Sequence, residues 1–399
     1  MSLSLESKCL HLEESSSAAG GSALPPGGTS VPSPCNHYGS VSFPIYQTAT
    51  YAHPGVGQST GFDYSRLQNP TREQLEKVVC QLEGGIDAFA LSSGMAAISL
   101  LMEIFKPGDH LIADSDLYGG SIRLFDNVSA KNGIKFTREN ISQLSEEALE
   151  ALITPQTRAI YIETPTNPMM NVTDIAATAR IAKKHNLLLI VDNTFMSPYF
   201  QNPLALGADV VIHSGTKYLA GHNDTLAGFI ITNRPDLQEK LRFLIKTTGA
   251  GLAPFDSWLV LRGIKTLALR MEKAQENAKK IVKWLKNQKE VTRVLYPGLP
   301  EHPGHKIQLK QARGFGAMVT FNVTSEEKAK SILNRVNLIQ FAESLGGTET
   351  LITYPVTQTH ADVPEEIRLK NGITPQTLRL SVGIENADDL IADLREALK

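Results

Sequence analysis

"HSGTKYLAGHNDTLAGFIIT", residues His213 to Thr232, closes one apolar run, turns through Gly, His, Asn and Asp, and opens another. One lysine sits in it. Lys217 stands between the hydroxyl-bearing Thr216 and Tyr218, just past the run "DVVIH". Upstream, "IDAFAL", "HLIAD", "RAIYIET" and "LLLIVD" read as strands, and "AGFIIT" follows as another. Between them "GMAAISLLMEIF" and "DIAATARIAKKHN" carry helical spacing. Val/Ile/Leu runs that are continuous rather than alternating imply strands buried on both faces, and intervening helices imply a mostly parallel sheet. Ligands of such sheets bind beyond the carboxyl ends of the strands. Lys217 falls at one of those ends.

The chain has 399 residues, more than one ordinary core fills, and suits two or three lobes. Residues 1–62 read as an N-terminal arm whose Ser/Gly/Pro-rich stretch 13–36 cannot bury enough apolar surface for a core. Its end, "SVSFPIYQTATY", can drape over another surface. Residues 63–255 form the large α/β domain in this reading, opened by a helix in "NPTREQLEKVVCQLEGG" that starts at Pro70 and stops at Gly84 and Gly85. Residues 256–399 form a smaller α/β domain, with long helices in "FDSWLVLRGIKTLALRMEKAQENAKKIVKWLKN", strands in "GAMVTFNV" and "QTLRLSVG", and a closing helix.

A formal charge of -2 gives no electrostatic case for nucleic acid or an anionic membrane, and favours small-molecule or protein partners. No apolar run approaches the roughly 20 residues of a membrane helix, and the first residues lack a signal-peptide pattern. A cytoplasmic location is expected. Cys9, Cys35 and Cys80 have no paired spacing, so neither a disulfide framework nor a thiolate zinc site is supported; Cys80 reads as core packing. His302 and His305 in "HPGH" lack further ligands and read as a surface turn. No metal is expected.

Three clusters carry chemistry. In "LSSGMAAI", Ser93 and Gly94 join a strand to a helix start, where free amides and the helix dipole suit a phosphate, although any strand-to-helix turn favours Ser and Gly. It is neither a Walker loop nor GxGxxG, which removes support for nucleoside triphosphates and dinucleotides. Asp192 ends "LLLIVD", where it either caps the next segment or needs a partner to offset its desolvation. Lys217 is either solvated or, held near apolar strands, an amine whose pKa falls. Together, a phosphate turn, a buried carboxylate and a desolvated lysine are what pyridoxal 5'-phosphate requires.

With "YSRLQNPTR", "SSGMAAI", "DLYGGS", "ETPTNP", "VDNTF", "HSGTKYLAGH", "RGIKTLALRM", "ESLGG" and "LRLSVGIE" in order from about residue 40 onward, the chain resembles the Cys/Met-metabolism family of pyridoxal-phosphate enzymes. That resemblance implies fold type I, with a mostly parallel seven-stranded sheet and a smaller C-terminal α/β domain. It implies Lys217 as the Schiff-base lysine and proton carrier, Asp192 as partner of the ring nitrogen, and Tyr118 as a catalytic residue that stacks on the ring and assists proton transfer. Ser93, Gly94, Met95, Ser214 and Thr216 would hold the phosphate, joined by Tyr64 and Arg66 of a neighbouring subunit. Asn167 would bond the ring hydroxyl. Arg379 with Ser344 would bind the substrate carboxylate through the guanidinium fork. A homotetramer built from two catalytic dimers with shared sites is the implied assembly.

Three positions lean toward one reaction. Glu343 resembles the glutamate of cystathionine γ-synthases and γ-lyases, Arg123 the arginine directed at a distal carboxylate, and Asp63 the γ-synthase pattern. Gly120 replaces the cysteine typical of methionine γ-lyases. The expectation is therefore a cystathionine γ-synthase, in which L-cysteine, or sulfide, replaces the acyloxy group of an O-acylhomoserine in methionine biosynthesis. A cystathionine γ-lyase with β-lyase activity is the alternative; a methionine γ-lyase and a non-catalytic cofactor-fold protein rank below it.

Overall fold

The computed structural model describes residues 3–11 and 40–399. The stretch 13–36 and Cys35 lie outside them. A seven-stranded sheet is built from β1 (Asp87–Leu91), β2 (His110–Asp114), β3 (Lys135–Glu139), β4 (Thr157–Glu163), β5 (Leu188–Asp192), β6 (Val210–Ser214) and β7 (Gly228–Thr232). Its order is β1-β7-β6-β5-β4-β2-β3, parallel except for β7, which runs antiparallel to both neighbours. The α/β fold with a mostly parallel seven-stranded sheet is as expected. Apolar clusters cover both faces, one around Val191, Val211 and Ile231 and the other around Ile190, Ile212 and Ile230, so neighbouring strand residues are buried on opposite sides.

A second sheet holds β8 (Val291–Leu295), β9 (Met318–Val323), β10 (Gln340–Phe341), β11 (Leu351–Thr353) and β12 (Thr377–Ser381), in the order β10-β11-β12-β9-β8. Its core joins Val319, Phe321, Leu378 and Leu380 to the closing helix Ala387–Ala397. The helix Pro70–Glu83 starts where Asn69 accepts the amides of Thr71 and Arg72, and ends at Gly84 in the left-handed region. Its N-terminus also holds the end of the arm, since the Tyr46 amide donates to Thr71 Oγ1 and Asn69 Nδ2 to the Tyr46 carbonyl. Nearer the start of the chain, the helix Leu5–Leu10 buries Cys9.

The "HPGH" pair departs from the surface turn expected. His302 is buried and accepts the Gly304 amide at Nδ1 (3.1 Å), while His305 stacks on Phe315 with centroids 5.4 Å apart. Packing rather than solvation holds them. Among the described residues no group of three or more His, Cys, Asp or Glu side chains could hold a metal, and no helix is long and apolar enough to cross a membrane.

Candidate active site

Strand ends deliver the site. Glu163 closes β4, Asp192 closes β5 directly in register with it, and Ser214 closes β6. Beyond them lies a cavity of about 310 Å³. Ser93, Gly94, Met95, Tyr118, Asn167, Asp192, Ser214, Thr216 and Lys217 line it from the large sheet's side, and Glu343, Ser344 and Arg379 from the side of the second sheet.

Lys217 occupies the turn after β6, with its amide donating to the Ser214 carbonyl at 3.2 Å. Its amine donates to Ser344 Oγ at 2.8 Å. Burial, reinforced by the Arg379 guanidinium and opposed by Glu343, lowers this lysine to about 8. An appreciable share of neutral, nucleophilic amine therefore exists near neutral pH. Ser344 sits at φ 98°, a region that side-chain-bearing residues rarely adopt. Hydrogen bonds at both of its ends hold it there, because the Ser344 carbonyl accepts from Arg379 Nη2 at 2.9 Å.

Arg379 comes from β12 and is wholly buried. Nη1 donates to Asn167 Oδ1 (2.7 Å), and Nη2 donates also to Thr353 Oγ1 (3.1 Å). Nε has no partner. Burial lowers the guanidinium to about 10, which leaves it charged at neutral pH. A buried cation with a spare donor invites a carboxylate.

Asp192 Oδ1 accepts from the Thr194 amide (3.0 Å) and the Thr194 hydroxyl (2.6 Å). Burial raises its carboxyl, and the two Thr194 bonds pull against that rise. At the opposite end of the cavity Ser93 caps the helix Gly94–Met102 by accepting the Ala96 amide at 3.0 Å. The first-turn amides of Gly94 and Met95 have no helical partner, and with the Ser214 hydroxyl they make a neutral donor set suited to a phosphate; the Thr216 hydroxyl beside them donates to the Ala227 carbonyl at 3.3 Å. Close backbone packing fixes this turn: a Cβ on Gly228 would stand 1.9 Å from the Ser93 carbonyl oxygen.

Four expected residues lie outside the cavity of their own chain. Tyr64 is 44 % exposed, with the Arg66 guanidinium 5.6 Å from its ring centroid. Asp63 accepts from Ser59 Oγ at 2.6 Å. Arg123 pairs at the surface with Asp362. Of the polar lining residues, Glu163, Thr194 and Thr359 escaped the sequence reading. For Glu163 a signal existed: "RAIYIE" ends an apolar run on a carboxylate just as "LLLIVD" does.

Arg379 Nε, unpartnered among the described residues, the neutral donor turn and the carboxylate at the end of β5 answer separate needs of two molecules, the carboxylate of an amino-acid substrate and the phosphate and ring nitrogen of pyridoxal 5'-phosphate. Sheet and cavity thus define a fold type I pyridoxal-phosphate enzyme. Residues 30–399 match the family described as Cys/Met metabolism PLP-dependent enzyme, and the chain belongs to that family of trans-sulfuration enzymes. It is 51% identical over 360 residues to a cystathionine γ-synthase/O-acetylhomoserine (thiol)-lyase of Bacillus subtilis (strain 168), covering 90% of this chain and 92% of that one. A cystathionine γ-lyase of the same strain is 50% identical over 361 residues, covering 90% and 95%. The crystal structure of cystathionine γ-lyase from Lactobacillus plantarum complexed with L-serine aligns with a TM-score of 0.91 at 43% identity, over 99% of this chain and 98% of that one.

Proposed function

We propose that the protein is a cystathionine γ-synthase, exchanging the acyloxy group of an O-acylhomoserine for the sulfur of L-cysteine. The observation that carries this reading is Glu343 on the cavity wall, close enough to act on both Lys217 and Arg379. A replacement needs room and charge complementarity for a second amino acid; a carboxylate there suits its ammonium group. The similarity to a γ-synthase/thiol-lyase supports it. A second reading, cystathionine γ-lyase, is favoured by the equally similar γ-lyase, since cystathionine presents the same distal ammonium.

Bound pyridoxal 5'-phosphate supplies an electron sink for the bonds at the substrate α-carbon. The chain supplies the rest. Arg379, braced by Asn167, Ser344 and Thr353, fixes the α-carboxylate. Lys217 Nζ would take the Cα proton and, for γ-chemistry, having handed that proton on, would take the Cβ proton in turn, the γ-substituent then leaving as its anion with the bond's electron pair. Asp192 would pair with the ring nitrogen, and Tyr118 would cover the ring. Tyr64 and Arg66, exposed on their own chain, are assigned to a neighbour's site within a homotetramer.

A paired assay on one preparation tests the reaction. O-Acetyl- or O-succinylhomoserine with cysteine is followed for cystathionine, beside cystathionine alone followed for 2-oxobutanoate and pyruvate. Faster cystathionine formation is expected. Faster keto-acid release makes the enzyme a lyase.

A further inference from the structure

Glu163 lines the cavity, and neither the proposed reaction nor the sequence patterns give it a task. It closes β4 beside Asp192 on β5 and is 5% exposed. Its Oε2 accepts the Tyr118 amide at 2.9 Å, the residue that opens the helix Gly119–Leu124. Burial acts most on its charge, then Asp192 from β5; the Tyr118 amide opposes them, and Asp116, just past β2, and Asp114, at its end, follow. Tyr161 faces it from its own strand and Arg379 from β12. His213 on β6 acts on Asp192 while bound to Glu83 at 2.6 Å.

Two buried carboxyls side by side cannot both ionise cheaply, and the proton settles on the one whose anion is less well bonded. Asp192 receives a hydroxyl and an amide from Thr194; Glu163 receives one amide. We propose that Glu163 is a positioning residue that works as a neutral carboxylic acid, holding the Tyr118 backbone in place while Asp192 carries the negative charge of the pair. Burial and the Asp192 charge, which push the Glu163 carboxyl well above the ordinary glutamate range, agree with this division. The assignment holds for a synthase and a lyase alike.

The test uses the full-length holoprotein and its cofactor-stripped form. Glu163→Gln keeps both the acceptor for Tyr118 and the neutral charge; Glu163→Ala keeps neither acceptor nor volume. Glu163→Gln should retain kcat within about twofold, and Glu163→Ala should lose at least about tenfold through a displaced Tyr118. In both forms of the wild type, infrared spectra at neutral pH should show a protonated-carboxyl band that shifts in D2O and disappears in Glu163→Gln. Stability gives an independent reading. A carboxyl raised in the folded state contributes fully below the ordinary value of 4.5 and loses that contribution as pH rises toward its folded pKa. The melting-temperature difference between Glu163→Gln and wild type should therefore grow with pH. A missing band, a flat difference, or Glu163→Gln falling as far as Glu163→Ala would overturn the proposal.

Discussion

At the scale of single residues, the site depends on burial changing what ordinary side chains do. A solvated lysine is a cation at neutral pH; at about 8, with its amine tied to Ser344, Lys217 is present as both ammonium and free amine near neutral pH. Arg379 keeps its charge at about 10, and at Asp192 burial raises the carboxyl while the two Thr194 bonds pull against that rise. Among the described residues Glu163 has only one such bond, from the Tyr118 amide. Asp192 and Lys217 were legible as candidates because a charge directly after an apolar strand is costly. The same logic applied to Glu163 and was not followed there. Thr194 carried no local signal, because its part comes only from bonding Asp192 two residues away.

Elements explain why these residues meet. β4, β5 and β6 are adjacent and parallel, so their carboxyl ends open into one crevice, and the turn before the helix Gly94–Met102 packs on β7 at Gly228. Gly228→Ala places a methyl against the Ser93 backbone. It should cost about 1–3 kcal/mol in urea unfolding and weaken cofactor binding at the same time; unchanged values of both would show that the turn can give way. The buried strands were readable from their continuous apolar runs. β3 was not, because it is an edge strand whose residues Lys135–Glu139 are part-exposed and mostly polar. The long helical pattern after residue 250 is two helices, Pro254–Ile264 and Leu267–Leu285, and apolar spacing that continues across the junction hid the break.

Across the whole molecule, one cavity draws on both sheets: Lys217 follows a strand of the first, and Arg379 lies in a strand of the second. Sequence spacing says nothing about such a meeting, and for Arg379 an alternating strand residue was the only local reading; the family resemblance placed it. Tyr64 and Arg66 stand apart from their own cavity, and the proposed assembly hands them to a neighbour. Mixing two inactive variants, Tyr64→Ala and Lys217→Ala, and allowing subunits to exchange should then restore activity, because hybrid dimers contain one site with both native residues. Mixtures as inactive as their parents would place Tyr64 in the site of its own chain or outside any site.

The central claim is that the cavity between the two sheets is the catalytic site and that Lys217 anchors its cofactor. Borohydride reduction of the holoprotein, followed by proteolysis and mass spectrometry, fixes the cofactor to whichever lysine holds it. The account predicts a single modified peptide bearing the group on Lys217; modification of any other lysine would contradict it.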